Sequence, residues 1–245
     1  MTKNDKLSPY ALDASKLTLR YGDHVVFQNA SFHVHQQEIV SITGPNGSGK
    51  TTLINAILGE KAIDSGTLEV LGKKPGDANA VLGYVSQNYT ENNSEVISVI
   101  DMVTLGVNGN RYGLHFTNAS EKADAMLALK RVNAVNLAHK RMSTLSGGQR
   151  QRVQIAQAIA SKPKMLILDE PFANLDIKST VEIGALLKTI HAKYNITIII
   201  VAHIMEHLRN LVTSQIHIEN EVAAYFEDAE LMGTHKVQNV EGGGK

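Results

Sequence analysis

The sequence predicts an α/β fold with a mainly parallel sheet, an antiparallel β part near the N-terminus and an inserted α-helical part. Three observations carry that reading. Glu38–Thr43 is a largely apolar run that passes straight into a glycine-rich turn and then a helical pattern from Lys50, which marks a buried strand feeding a helix. Met165–Leu168 and Ile196–Ala202 are unbroken apolar runs separated by a helical stretch over Ile177–Ala192. Strand, helix, strand at that spacing is a βαβ crossover. Between these two regions, residues 92–141 change texture and turn helical.

Taken in order, residues 1–13 are polar, contain an early proline and read as frayed. From Ala14 to Thr43, alternating apolar positions (Leu17, Leu19; Val25, Phe27; Phe32, Val34) read as antiparallel strands. Residues 50–58 read as a helix with Gly59 just past its end, and Gly66–Gly72 encloses a short strand. Val96, Ile97, Val99, Ile100 and Val103 suggest one helix. Ala123, Met126, Leu127, Leu129, Val132 and Val135 suggest a second at 3.6-residue spacing. The Gly- and Asn-rich link from Gly106 to Ser120 reads as an exposed loop, and Ser146–Ser161 as a third helix. The end of the chain, Gly-Gly-Gly-Lys, reads as a flexible tail or an appended segment. The division expected is a core over 14–87 and 162–226, a helical subdomain over 88–161 and a tail over 227–245.

Composition narrows the function classes. The 245 residues hold 24 Lys+Arg against 24 Asp+Glu, and a formal charge of zero argues against a generic nucleic-acid binder. No cysteine is present, which excludes disulfide frameworks, thiolate metal sites and cysteine nucleophiles. The longest strongly apolar run, Ile196–Ala202, is far short of the ~20 residues of a membrane helix. Aromatics are 5% with no tryptophan, so base-stacking platforms are not expected.

One motif speaks directly to chemistry. Gly44, Pro45, Asn46, Gly47, Ser48, Gly49, Lys50 and Thr51 match the phosphate-loop pattern G-x-x-x-x-G-K-[ST], with Thr52 following. They stand between a predicted strand and a predicted helix, which is the context the pattern requires. Glycines let consecutive N–H groups turn inward as an anion nest, and the helix adds its positive end. Lys50 would reach the β- and γ-phosphates, and the Thr51 hydroxyl would ligate Mg²⁺.

Met165-Leu-Ile-Leu places Asp169 and Glu170 at the carboxyl end of an apolar strand, where ligands of open α/β sheets bind. Alone the pair fits an acidic helix start equally well. With a phosphate loop upstream, Asp169 suits Mg²⁺ and Glu170 suits polarising an attacking water.

Leu145-Ser146-Gly147-Gly148-Gln149, followed by Arg150-Gln-Arg152, adds a second glycine-rich helix start. Ser146 and Gln149 have the spacing of a capping box, so a purely local cap is one reading. Two glycines in a first turn cost helix stability of ~1 kcal/mol each, and close approach of an anion is a reason to tolerate them.

A phosphate loop, this Leu-Ser-Gly-Gly-Gln motif and a four-apolar-residue Asp-Glu strand, in that order, resemble the nucleotide-binding subunit of ABC transporters. The resemblance runs from about Leu17 to Phe226. It implies a P-loop NTPase core that binds ATP and Mg²⁺ and hydrolyses ATP. By match it implies further residues. Tyr21 resembles the aromatic that stacks on adenine, though an exposed strand-end tyrosine reads as well. Gln87 resembles the glutamine that contacts Mg²⁺ or lytic water and senses the membrane partner. Asp176 resembles the aspartate of the loop crossing a dimer interface, and His203 the histidine that contacts the γ-phosphate. Two positions depart from the family's pattern: Ile204 stands where Asp often follows that histidine, and Ala173-Asn174 where the interface loop usually begins with Ser.

The resemblance also implies partners. Ser146, Gly147 and Gly148 of a second copy would close over the γ-phosphate in an ATP-sandwich homodimer. Integral membrane permease subunits would be driven by it at the cytoplasmic face of the membrane, with a substrate-binding protein acting indirectly and no nucleic acid. The segment from Gln87 to Gly113 is expected to meet the permease, an ordinary surface loop being the alternative. The stretches Val99–Gly106 and Pro171–Asp176 look most like zinc/manganese-type importers, with iron-chelate importers next. A soluble ABC ATPase not coupled to transport is a further reading, and a P-loop kinase or GTPase leaves the Ser146–Gln149 motif unexplained. Ten histidines invite a metal story, but His33 and His35 read as a solvated face, and His207 lacks a zinc-enzyme context.

Overall fold

The computed structural model describes residues 8–87, 97–107, 118–202 and 210–227. Among these residues, nine strands and five α-helices follow in the order β1 (Tyr10–Tyr21), β2 (His24–His35), β3 (Ile39–Thr43), α1 (Lys50–Ile57), β4 (Ser65–Val70), β5 (Leu82–Val85), α2 (Val99–Val107), α3 (Ala119–Arg131), α4 (Gly147–Ala160), β6 (Met165–Asp169), α5 (Ile177–Tyr194), β7 (Thr197–Val201), β8 (Ser214–Glu219) and β9 (Val222–Phe226). They form a six-stranded sheet of order β5-β6-β7-β3-β8-β9 and a three-stranded sheet of order β2-β1-β4. In the larger sheet every pair is parallel except β8 with β9. The mixed α/β class and the antiparallel N-terminal sheet are as the sequence predicts.

The central parallel strands β3, β6 and β7 bury both faces, which is why they read as largely apolar runs. Alternate residues divide between two cores: Leu166, Leu168, Ile198 and Ile200 face α2–α5. Met165, Ile167, Ile199 and Val201 face α1 and the N-terminal sheet. The N-terminal sheet buries one face only, so Leu12, Ala14, Leu17 and Leu19 of β1 enter the second core. Replacing a fully buried member such as Leu53 or Leu129 by alanine removes packing worth about 2–5 kcal/mol.

Several expectations are corrected. Tyr10–Asp13 is not frayed; it belongs to β1 and pairs with β2, Tyr10 opposite His35 and Asp13 opposite His33. Gly106 lies inside α2 rather than in a loop, and α3 starts at Ala119 behind an Asn118–Glu121 capping box. Val135 falls in a short 3-10 turn beyond α3. No strand is expected from the sequence at β5, β8 or β9: β5 (LGYV) and β9 (VAAYF) are only four and five residues long, and β8 (SQIHIE) alternates polar with apolar residues instead of forming an apolar run. They exist because β6, β3 and β8 offer them ladder partners.

Candidate functional site

Gly44 to Gly49 leaves the carboxyl end of β3 and enters α1. Gly49 caps that helix with φ 96°, and α1 has no side-chain cap. A Cβ at Gly49 would overlap Val26 of β2, and one at Gly44 would overlap the Ile218 carbonyl of β8. The loop is therefore wedged between β2 of the N-terminal sheet and β8 of the core sheet. Its shape is set by contacts as well as by glycine's freedom at positive φ. The Lys50 ammonium donates to the carbonyls of Gly44 (3.0 Å) and Pro45 (2.8 Å). That fastens the side chain along the loop it serves.

Asp169 ends β6 and is 6% exposed. Burial pushes its carboxyl above the usual range, the Glu170 charge adds to that, and Lys50 opposes it. Glu170 follows with φ 51°, a left-handed conformation that costs a non-glycine residue energy and persists only when its surroundings hold it. Here its N–H donates to the Val201 carbonyl of β7 (2.8 Å), and Pro171 behind it disfavours a right-handed helical turn. Gln87 donates to the Glu170 carboxylate at 2.7 Å. A cleft of about 560 Å³ joins these parts, lined by Asn46, Gly47, Gly49, Lys50, Thr51, Thr52, Gln87, Glu170 and Val201. Two adjacent carboxylates and a threonine hydroxyl that makes no hydrogen bond among the described residues form a hard-oxygen donor set. Burial and the neighbouring Glu170 charge both disfavour the ionised Asp169, and a hard divalent cation such as Mg²⁺ would offset both.

Tyr21 ends β1 at the tip of the β1–β2 hairpin and is 75% exposed. The contact of Val26 with Gly49 puts this hairpin beside the phosphate loop, so Tyr21 is an exposed ring near the loop's flank.

Ser146 lies elsewhere. It caps α4 in a complete box, its hydroxyl accepting from the Gln149 N–H (3.4 Å) while the Gln149 side chain accepts from the Ser146 N–H (3.2 Å). None of residues 146–149 lines the cleft of the phosphate loop. A Cβ on Gly148 would stand 2.9 Å from Ser179 Oγ, and one on Gly147 would stand 3.3 Å from Leu175 Cδ2. Close packing against Ser179 at the start of α5 thus favours a glycine at 148 whether or not an anion approaches. Asp176 caps α5, accepting from the Ser179 N–H at 2.6 Å, and that hydrogen bond holds its carboxyl below the usual range.

The structure thus brings Lys50, Thr51, Thr52, Gln87 and Glu170 to one cleft, with Asp169 beside them, and leaves Ser146–Gln149 outside it. His203, Ile204 and His207 lie outside the described residues. His33 bonds Asp13 at 3.0 Å and stacks on Tyr10, and no group of three metal-ligating side chains occurs among the described residues. Sequence reasoning missed the Gln87–Glu170 bond, the left-handed Glu170 and the wedging of the loop by Val26. The Glu-Pro pair was the only signal for any of them.

The sequence profile of the ABC transporter family matches residues 27–173. The chain belongs to the ABC transporter family. Its relatives include the zinc uptake system ATP-binding protein ZurA of Listeria monocytogenes, 31% identical over 214 residues that cover 86% of this chain and 83% of the relative. The phosphonates import ATP-binding protein PhnC of Escherichia coli is 33% identical over 78% of this chain and 79% of its own length. The sulfate/thiosulfate import ATP-binding protein CysA of Mesostigma viride is 35% identical over 190 residues, but this chain spans only 53% of that relative. Among solved structures, a metal-chelate type ABC transporter in an inward-facing conformation superposes with TM-score 0.81 at 27% identity, over 92% of this chain and 86% of that one. A subunit of the cbiONQ transporter complex of Clostridium perfringens also gives 0.81 at 27% identity, over 92% and 91%. As an ABC transporter cassette, this chain is an ATPase.

Proposed function

We propose that the chain powers solute import by an ABC transporter, binding MgATP in the cleft between the phosphate loop and the Asp169-Glu170 end of β6. The observation that carries this is the convergence of Lys50, Thr51, Gln87 and Glu170 on one cleft. The N–H groups at the uncapped start of α1 and the Lys50 ammonium take the β- and γ-phosphates. Tyr21 takes the adenine face. Thr51, Asp169 and Gln87 hold Mg²⁺, which supplies charge neutralisation on the phosphate oxygens. Glu170 accepts the proton of the water that attacks the γ-phosphorus, and ADP and inorganic phosphate are released. Gln87 and the backbone of β7 hold that carboxylate in place, so the base is oriented before the nucleotide arrives. His203 is assigned the γ-phosphate.

The exposure of Ser146 and Gly147 outside the cleft supports a composite site in which these residues of a second copy close over the γ-phosphate. ATP then favours the closed pair, and hydrolysis releases it. No helix among the described residues is long and apolar enough to cross a membrane; membership of the ABC transporter family supports a translocation path in separate permease subunits, with this chain at the cytoplasmic face. A groove of about 340 Å³ beside Ser86, lined by Tyr84, Leu105, Gly106, Gln154 and Gln157, supports the permease contact near Gln87. Leu105 is 56% exposed there.

For cargo we favour zinc or manganese, delivered by a substrate-binding protein. Similarity to a zinc uptake relative supports that assignment, and similarity to sulfate/thiosulfate and phosphonate relatives keeps other small solutes, iron chelates included, as the alternative. Uptake of zinc, manganese, iron chelate, sulfate and phosphonate in cells carrying Glu170→Gln tests it. Loss of metal uptake alone is expected, and loss of an oxyanion instead overturns the cargo. Co-purification from native membranes with only soluble companions overturns transport itself.

A further inference from the structure

Behind the phosphate loop, on the side away from α1, lies a polar chain that the catalytic reading does not use. In the parallel pairing of β3 with β8, Thr43 stands opposite His217 and Ser41 opposite Gln215. Ile216 and Ile218 point into the core shared with α1, so Gln215, His217 and Glu219 share the other face. Three contacts link them: Gln215 Nε2 donates to Thr43 Oγ1, Thr43 Oγ1 meets His217 Nδ1 at 2.9 Å, and His217 Nε2 lies 3.4 Å from Glu219 Oε2. Thr43 Oγ1 has one proton and two lone pairs, so it accepts from Gln215 and either donates to His217 Nδ1 or accepts from it, according to the ring tautomer.

Thr43 is the last residue of β3, and Gly44 is the first of the phosphate loop. The residue after His217 presents its carbonyl so close to Gly44 that no side chain fits there. Strand β8 therefore holds the root of the loop twice, by the His217 side chain on Thr43 and by the Ile218 backbone on Gly44. An anion nest binds well only if its N–H groups converge before the anion arrives, and the direction in which the loop leaves the sheet sets that convergence.

The geometry points to His217 as a positioning residue for nucleotide binding: through Thr43 it fixes the exit of the phosphate loop from β3. The inference rests on the ATPase reading and adds to it a residue far along the chain that touches no substrate. The role predicts a change in nucleotide affinity with little change in the chemical step, because Glu170 and Gln87 are anchored on other strands.

The test is MgATP binding and steady-state hydrolysis by the full chain carrying His217→Ala, His217→Gln, His217→Asn, Thr43→Val and the Thr43→Val/His217→Ala pair. Asparagine keeps a polar atom near the Nδ1 position and glutamine one near Nε2. Losing one neutral hydrogen bond corresponds to about three- to tenfold in affinity. His217→Ala and His217→Gln are expected to raise Kd and KM by that factor with kcat within about twofold, and Thr43→Val, which also loses the Gln215 contact, by at least that factor. His217→Asn should stay near wild type, and the double variant should be no worse than Thr43→Val alone. If His217→Ala does not fold, the difference between His217→Gln and His217→Asn decides the matter. Unchanged KM, a fall in kcat alone, additive losses in the double variant, or His217→Asn as weak as His217→Ala each overturn the proposal. Wild-type chain that does not bind MgATP sinks the ATPase reading instead, and this inference with it.

Discussion

Two glycine-rich turns in this molecule lead into helices, and they are built in opposite ways. At the start of α1 the N-cap is Gly49, with no side-chain cap, and the loop before it is shaped by β2 and β8 pressing on its glycines. At the start of α4 the N-cap is Ser146, closed by Gln149 in a complete capping box, with the glycines accommodating α5. The first turn leaves its backbone donors to face a cleft that already holds Lys50, Gln87 and Glu170. The second has its serine hydroxyl engaged at home and stands apart from that cleft. Glycine pattern alone does not separate the two; what packs behind each turn does.

That contrast predicts graded effects. The largest belongs to Lys50→Ala, which removes the cation from the uncapped turn: nucleotide binding or hydrolysis should fall at least about a hundredfold, read by calorimetry with MgATP and by phosphate release. Binding that survives with turnover intact would break the assignment of this turn as the phosphate site.

Glu170→Gln should bind ATP normally, slow hydrolysis by about 10²–10⁴-fold and accumulate as a dimer in ATP on size-exclusion chromatography. Normal turnover would remove Glu170 from the role of base.

The α4 turn is probed by two substitutions that separate its cap from its reach to a second copy. Ser146→Arg should retain ATP binding by one chain and lose turnover, since a bulky cation obstructs closure. In the nucleotide-free chain Ser146→Ala should lose the cap, about 1 kcal/mol, a melting-temperature drop of about 2–4 °C for a chain of this size, and in ATP it also loses the hydroxyl assigned to the γ-phosphate. Unaffected turnover in Ser146→Arg would argue against a composite site.

The smallest effect concerns stability. Because burial raises the folded-state value of Asp169 above its unfolded one, the ionised carboxylate works against folding. Its favourable contribution exists at low pH and is lost as pH rises through the folded value. Asp169→Asn should therefore raise the neutral-pH melting temperature measured with EDTA while abolishing hydrolysis. A lowered melting temperature would show that Lys50 outweighs burial at this carboxylate.

Much of this was legible in the chain because the relevant interactions are local or periodic. Parallel strands buried on both faces read as Met165–Leu168 and Ile196–Ala202, and the phosphate loop reads because its whole pattern lies in eight consecutive residues, Gly44–Thr51. Ser146 and Gln149 cap their helix three residues apart, within reach of local pattern. What tertiary structure alone decided is what depends on distant partners. Tyr10–Asp13 became strand because β2 pairs with it, and β5, β8 and β9 became strands because the sheet had edges to extend. Gln87 meets Glu170 across 83 positions of sequence. Thr43 meets His217 across 174. Sequence by itself determined which groups are available for phosphate chemistry. The packing of β2, β7 and β8 around the end of β3 decided how those groups are held, since orientation comes from contacts that no local pattern encodes.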